Sequence, residues 1–131
     1  MNIIKSIAAN LKGQCSKAEA LLKSSVMLQK AIDEAERKYQ KKGHRYYVIY
    51  DPNKKKLTAI TYDIYYLRTD SYIYLRRRGR FGKPLSRNEL KDKCFYYTPS
   101  KNVPDRRCTG EDKKRRLLLW QRYYSLCLYK K

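Results

Sequence analysis

Histidine is nearly absent from this chain: His44 is the only one among 131 residues, set between Gly43 and Arg45. A lone imidazole ahead of an extended stretch reads as a surface residue rather than a general base. The nucleophile elbow G-x-S-x-G, the zinc signature H-E-x-x-H and a Gly-rich phosphate loop ending in Lys-Ser/Thr are all missing. Acidic residues are scarce as well, 12 against 32 Lys plus Arg. The eight in residues 45–131 are scattered, whereas metal-dependent hydrolysis needs them clustered. Asp33, Glu34 and Glu36 lie close in sequence, but adjacent residues diverge around a helix, so they read as a solvated face. These absences predict no catalytic residue, no metal site, no cofactor, no small-molecule substrate and no enzyme.

The four cysteines, Cys15, Cys94, Cys108 and Cys127, contain no C-x-x-C pair. They read as free thiols in a reducing compartment, and a zinc site built from three of them with His44 would be an accident of composition. No window is apolar for the length of a membrane span, so no membrane partner is expected. The opening MNIIKSIAANLKGQC is too weakly apolar for a signal peptide, which predicts a cytoplasmic protein.

What the chain has in excess is positive charge and tyrosine. Its formal net charge is +20 at pH 7, with +5 carried by residues 1–44 and +15 by residues 45–131. No interior can hold such an excess, so the charge describes a polyanionic or acidic partner. Tyr outnumbers Phe 14 to 2, and with Leu, Ile and one Trp this gives apolar surface that disordered basic tails lack.

Ser16 and Glu19 have capping-box spacing, and Leu21, Leu28, Ile32, Ala35 and Tyr39 follow at helical intervals up to a stop at Gly43. A shorter helix before Gly13 is also expected. Beyond His44 the period becomes extended: RYYVIY and KLTAITY flank a DPN turn, which predicts a hairpin carrying Lys54, Lys55 and Lys56 on its turn. Asp63 is expected to cap a helical turn through IYYLR, and SYIYLRRR to form a strand with Tyr72, Tyr74, Arg76 and Arg78 on one face. Ser86 and Glu89 repeat the capping-box spacing. CFYY reads as a strand, and Thr109 or Glu111 opens a last helix with Leu117, Trp120, Tyr124 and Cys127 on one face. The expected fold is α+β: a long N-terminal amphipathic helix, a small antiparallel sheet and a C-terminal helix, divided into a helical arm (1–44) and a basic, Tyr-rich module (45–131).

Charge is densest in YLRRRGRFGKP, where Arg76, Arg77, Arg78 and Arg80 precede Lys83. Guanidinium groups pair bidentately with phosphate and stay charged, so this run reads as a phosphate-facing loop, with Tyr72 and Tyr74 placed to stack on bases. Lys113, Lys114, Arg115 and Arg116 form a second cluster, in a first helical turn where the macrodipole disfavours cations. Adjacent tyrosines such as Tyr46-Tyr47, Tyr65-Tyr66, Tyr96-Tyr97 and Tyr123-Tyr124 would point one ring inward and one outward if they lie on strands.

The stretch AIDEAERKYQKKGHRYYVIYDPNKKKLTAITYD, residues 31–63, resembles small basic proteins of Bacteroides-type phages and mobile elements, including crAss-like phages. The resemblance implies a phage-encoded protein, made in the host cytoplasm and packaged in a virion or acting free; it implies no site residues. Together with the charge it predicts a non-enzymatic component of a nucleic-acid-containing assembly whose partners are DNA, RNA or acidic protein surfaces. The competing reading is a free, sequence-tolerant nucleic-acid-binding regulator or an inhibitor of a host nucleic-acid enzyme.

Overall fold

The computed structural model describes residues 12–68, 72, 74–76, 82–102 and 107–129. Helix α1 (Lys12–Lys42) is followed by the hairpin β1 (Tyr47–Asp51) and β2 (Lys56–Ile60), two short helices α2 (Tyr62–Leu67) and α3 (Arg87–Lys93), the two-residue strand β3 (Tyr96–Tyr97) and the C-terminal helix α4 (Gly110–Tyr129). The fold is mixed α+β with an antiparallel sheet of order β2-β1-β3.

The long helix runs unbroken through Gly13 and Ser16, so it does not start at the expected capping box; the shorter helix expected before Gly13 falls mainly outside the described residues. It buries Leu28, Ala31, Ile32 and Ala35, whereas Leu21, on the same predicted stripe, is 49% exposed. These residues share one core with the sheet and with Trp120 of α4. Over that stretch the helix is thus part of the module rather than a separate arm. It ends where expected, with Gly43 at φ 76° and its N–H donating to the Tyr39 carbonyl at 2.7 Å.

Central β1 pairs along its length with β2, from Tyr47 opposite Ile60 to Asp51 opposite Lys56. The Asp51 carboxylate accepts from the N–H groups of Asn53 (2.9 Å) and Lys54 (3.2 Å), which closes the turn. On its other side β1 meets β3 only at Tyr47 and Val48. That would leave the N–H and C=O of Tyr50 on an open edge. The Tyr74 hydroxyl occupies that place, accepting from Tyr50 N at 2.9 Å and donating to Tyr50 O at 2.6 Å.

The expected strand through SYIYLRRR is therefore not formed in its described part. Tyr72, Tyr74 and Leu75 lie in tight helical turns, and Arg76 makes a single bridge to Pro84. Helix α2 is capped by Thr61 instead of Asp63: its hydroxyl accepts from Ile64 N at 3.4 Å, and Asp63 sits within the first turn. At α3 the Ser86–Glu89 capping box is present in both directions.

Trp120 is the centre of the core. Its indole N–H donates to the Ser24 carbonyl at 2.8 Å, and Phe95, Tyr50 and Tyr124 surround its ring at centroid distances of 5.2, 5.8 and 5.6 Å. Leu117 and Tyr124 pack against the core from the same helix face, as the spacing predicts. Among the described residues no helix is long and apolar enough to cross a membrane.

Candidate polyanion-binding surface

Each basic cluster has a different structural fate. Arg77, Arg78 and Arg80 lie outside the described residues. Arg76 is half-buried beside Gly82, and Lys83 is exposed. The two tyrosines expected to stack on bases beside them are engaged within the fold, although Tyr74 remains 36% exposed. Tyr72 is 1% exposed and packs against Tyr65 at 6.2 Å, while Tyr74 stacks on Tyr123 at 5.5 Å and its hydroxyl closes the β1 edge. Both are corrected to structural residues, because a sheet with so short a third strand needs an outside donor and acceptor to satisfy β1.

The second cluster splits by helical position. Lys113 and Lys114 point to solvent. Arg115 is half-exposed and donates to the Asp112 carboxylate at 2.9 Å. Arg116 is buried at 3% exposure, so it is withdrawn from the phosphate-binding set. Its guanidinium donates to the Cys94 carbonyl at 2.6 Å and to Asp112 at 3.0 Å, and it lies 5.0 Å from the Tyr97 ring centroid. Burial pushes the Asp112 carboxyl up, but the hydrogen bonds from Arg116 and Arg115 outweigh it and hold the group below its ordinary value. Asp112 thereby relieves the clash of this cationic turn with the helix dipole.

Other acids have structural tasks too. Glu36 accepts from the Tyr96 hydroxyl at 2.6 Å and from Arg107 at 3.2 Å, and so does not belong to a purely solvated face. Lys54 and Lys55 are exposed on the hairpin turn, as expected, and Lys56, also exposed, opens β2 opposite Asp51.

The strand rule of one ring inward and one outward does not apply to Tyr65 (buried) and Tyr66 (exposed), which lie on a helix. It fails at Tyr46-Tyr47 and Tyr96-Tyr97, where all four rings are buried, because helices cover one sheet face and the Arg45, Lys91 and Arg116 side chains lie over Tyr97.

A half-open groove of about 610 Å³ lies where four segments meet: Gly43–Arg45 after α1, Thr61–Asp63 at the start of α2, Arg87 and Asn88 in α3, and Ser100–Asn102 after β3. Arg45 is oriented by a 2.9 Å hydrogen bond from Nε to the Thr98 carbonyl and by the Tyr97 ring. Arg87 lies over the Tyr62 ring at 4.6 Å, with Asp63 3.5 Å away and both carboxylate and guanidinium largely exposed. Lys101 is tied by its N–H to the Gly43 carbonyl at 3.0 Å, and its stem crosses Gly43 so closely that a Cβ there would come within 2.3 Å of Cε. Apart from the remark on His44, sequence reasoning missed this groove. Its one local signal is Gly43, read as a helix stop.

The thiols of Cys94 and Cys108 are both buried. Burial raises the Cys94 thiol to about 12 and the Cys108 thiol to about 11, which keeps both protonated at neutral pH. Among the described residues no three His, Cys, Asp or Glu side chains gather as metal ligands. No family model, curated protein or solved structure matches the chain.

Proposed function

We propose that the protein is a non-enzymatic basic component of a nucleic-acid-containing assembly, a phage virion in the first instance, that holds phosphate backbone through exposed Lys and Arg without reading sequence. One observation carries the proposal: among the described residues Arg116 is the only buried cation, while acids such as Glu36, Asp51, Glu89 and Asp112 are engaged in holding the fold. The positive excess therefore stays on the surface, where a polyanion neutralises it.

Exposed apolar side chains favour an assembly component over a free regulator. Leu22 and Val26 on α1 and Leu118 and Leu126 on α4 stand out from the surface, Leu118 at 64% exposure and flanked by Lys114, Arg115 and Arg122. A protein neighbour covers such positions in a particle, whereas a free monomer leaves them wet.

Binding of single- and double-stranded DNA and RNA across a salt series tests the proposal. The expected slope of log affinity against log salt is steep, about −0.9 per phosphate on duplex DNA, with little dependence on sequence. Replacing Arg77, Arg78 and Arg80 together with Ser is expected to flatten the slope by about 3 units. No binding to any of the four polymers at low salt would overturn it and turn the search to acidic protein surfaces.

A further inference from the structure

We infer that the groove lined by Arg45, Arg87 and Lys101 is a seat for the phosphate of a nucleotide, with Arg87 and Lys101 as its principal ligands. The inference deepens the phosphate-binding reading and rests on it, but it concerns a defined concave site instead of a diffuse surface.

Charge is the first argument. Three basic side chains, Arg45, Arg87 and Lys101, line the groove against one carboxylate, Asp63, which is largely in solvent. Neutral donors complete the lining: Asn88, Ser100 and Asn102 contribute side chains able to bond phosphate oxygens. Tyr47 also lines the groove, and burial raises its pKa, so its phenol stays protonated over the neutral range.

Preorganisation is the second. A flexible cation loses side-chain entropy when it grips a ligand, and that cost falls if the fold already holds it. Arg87 is stacked on Tyr62 and Arg45 is bonded to the Thr98 carbonyl before any ligand arrives. The Lys101 stem is laid across Gly43, a position where positive φ and the missing Cβ are both required. Four separate chain segments are thus brought together around a space, while the exposed lysines of the hairpin turn and of α4 each lie along a single local segment.

Size and shape are the third. A groove of about 610 Å³ lies within the usual range for small-ligand sites and is concave, which suits a nucleotide better than a flat acidic protein surface. Two sources share this chemistry: a free nucleotide, and the terminal nucleotide of a nucleic acid.

The test uses the full chain and titration calorimetry with a nucleoside 5′-monophosphate, the matching nucleoside, and short single-stranded oligonucleotides with a 5′-phosphate or a 5′-hydroxyl. The monophosphate is expected to bind and the nucleoside not. The double variant R87Q/K101Q, whose side chains are on the surface, is expected to keep its circular dichroism spectrum and to lose about tenfold or more in monophosphate affinity. K113Q/K114Q, away from the groove, should leave that affinity unchanged while weakening long polymers. If the 5′-phosphate strengthens oligonucleotide binding in the wild type and not in R87Q/K101Q, the source is a nucleic-acid end; equal binding of the two oligonucleotides with the monophosphate still bound identifies a free nucleotide. Absence of monophosphate binding, or binding that R87Q/K101Q leaves intact, overturns the seat. Such a result beside a steep polymer salt slope leaves the assembly reading standing, and monophosphate binding without polymer binding removes the assembly reading instead.

Discussion

Arg116 shows how one position in a run of like residues can have a different role from its neighbours. In Lys113-Lys114-Arg115-Arg116 the first two side chains are solvated and the third is half-exposed, whereas the fourth projects inward one turn before Trp120 and donates to Cys94 O and Asp112. A buried guanidinium is tolerated because its donors have partners; truncating it takes this donor from the Cys94 carbonyl and removes one of the two arginines bonded to Asp112. Arg116→Ala is therefore expected to lower stability by about 3 kcal/mol, and Lys113→Ala to change it by less than about 0.5 kcal/mol, measured as shifts in the urea unfolding midpoint. Equal small effects of the two would mean that Arg116 is a surface cation like the rest. No property of the sequence run separates these positions; only the helical phase set by Trp120 and Leu117 does.

At the scale of elements, the same motif succeeds at one site and fails at another. S-K-A-E at Ser16 and S-R-N-E at Ser86 both have capping-box spacing, but Ser16 lies inside a continuous helix while Ser86 follows Gly82 and Pro84 and adopts an extended backbone, φ −70° and ψ 170°. Ser86→Ala removes the hydroxyl that accepts from Glu89 N and is expected to cost about 1 kcal/mol in thermal or urea unfolding; no loss would mean that packing of Leu90 alone holds α3. Helix, hairpin and terminal helix were legible in the sequence because each is encoded by local periodicity and turn chemistry. The replacement of a strand by turns at Tyr72 and Tyr74 was not, since it depends on β3 beginning only at Tyr96, which leaves Tyr50 to be satisfied from elsewhere. The candidate groove was hidden for the same reason: His44, Tyr62, Arg87 and Lys101 are far apart in sequence, and no local pattern reports their meeting.

At the scale of the whole molecule, tyrosine is the residue that lets a small, highly charged chain keep a core. Among the described residues six tyrosines are buried, and several hydroxyls bond across the fold: Tyr65 to the Leu75 carbonyl, Tyr62 to the Leu85 carbonyl and Tyr96 to Glu36. Among the described residues no buried side-chain nitrogen or oxygen lacks a partner. The tyrosine excess is thus explained by internal packing more than by base stacking, but it makes the core titratable at high pH. Burial raises the phenols of Tyr47, Tyr65, Tyr72, Tyr74, Tyr96 and Tyr97 above their ordinary value of 10.0, and for Tyr96 the hydrogen bond to Glu36 adds to burial. A phenol whose native pKa is raised stabilises the fold fully below the unfolded pKa and loses that contribution as pH rises through the native value. Stability should therefore fall above about pH 10, the unfolded phenol value. Loss of lysine charge in the same range relieves self-repulsion and opposes the fall, so the phenol contribution has to be isolated. Tyr96→Phe does so: it removes the hydroxyl bonded to Glu36 and is expected to cost about 1–2 kcal/mol at pH 7, yet to lose less stability than the wild type between neutral and alkaline pH. Urea midpoints of both proteins measured across that range should converge as pH rises, and parallel curves would show that the Tyr96 phenol contributes nothing to the alkaline fall.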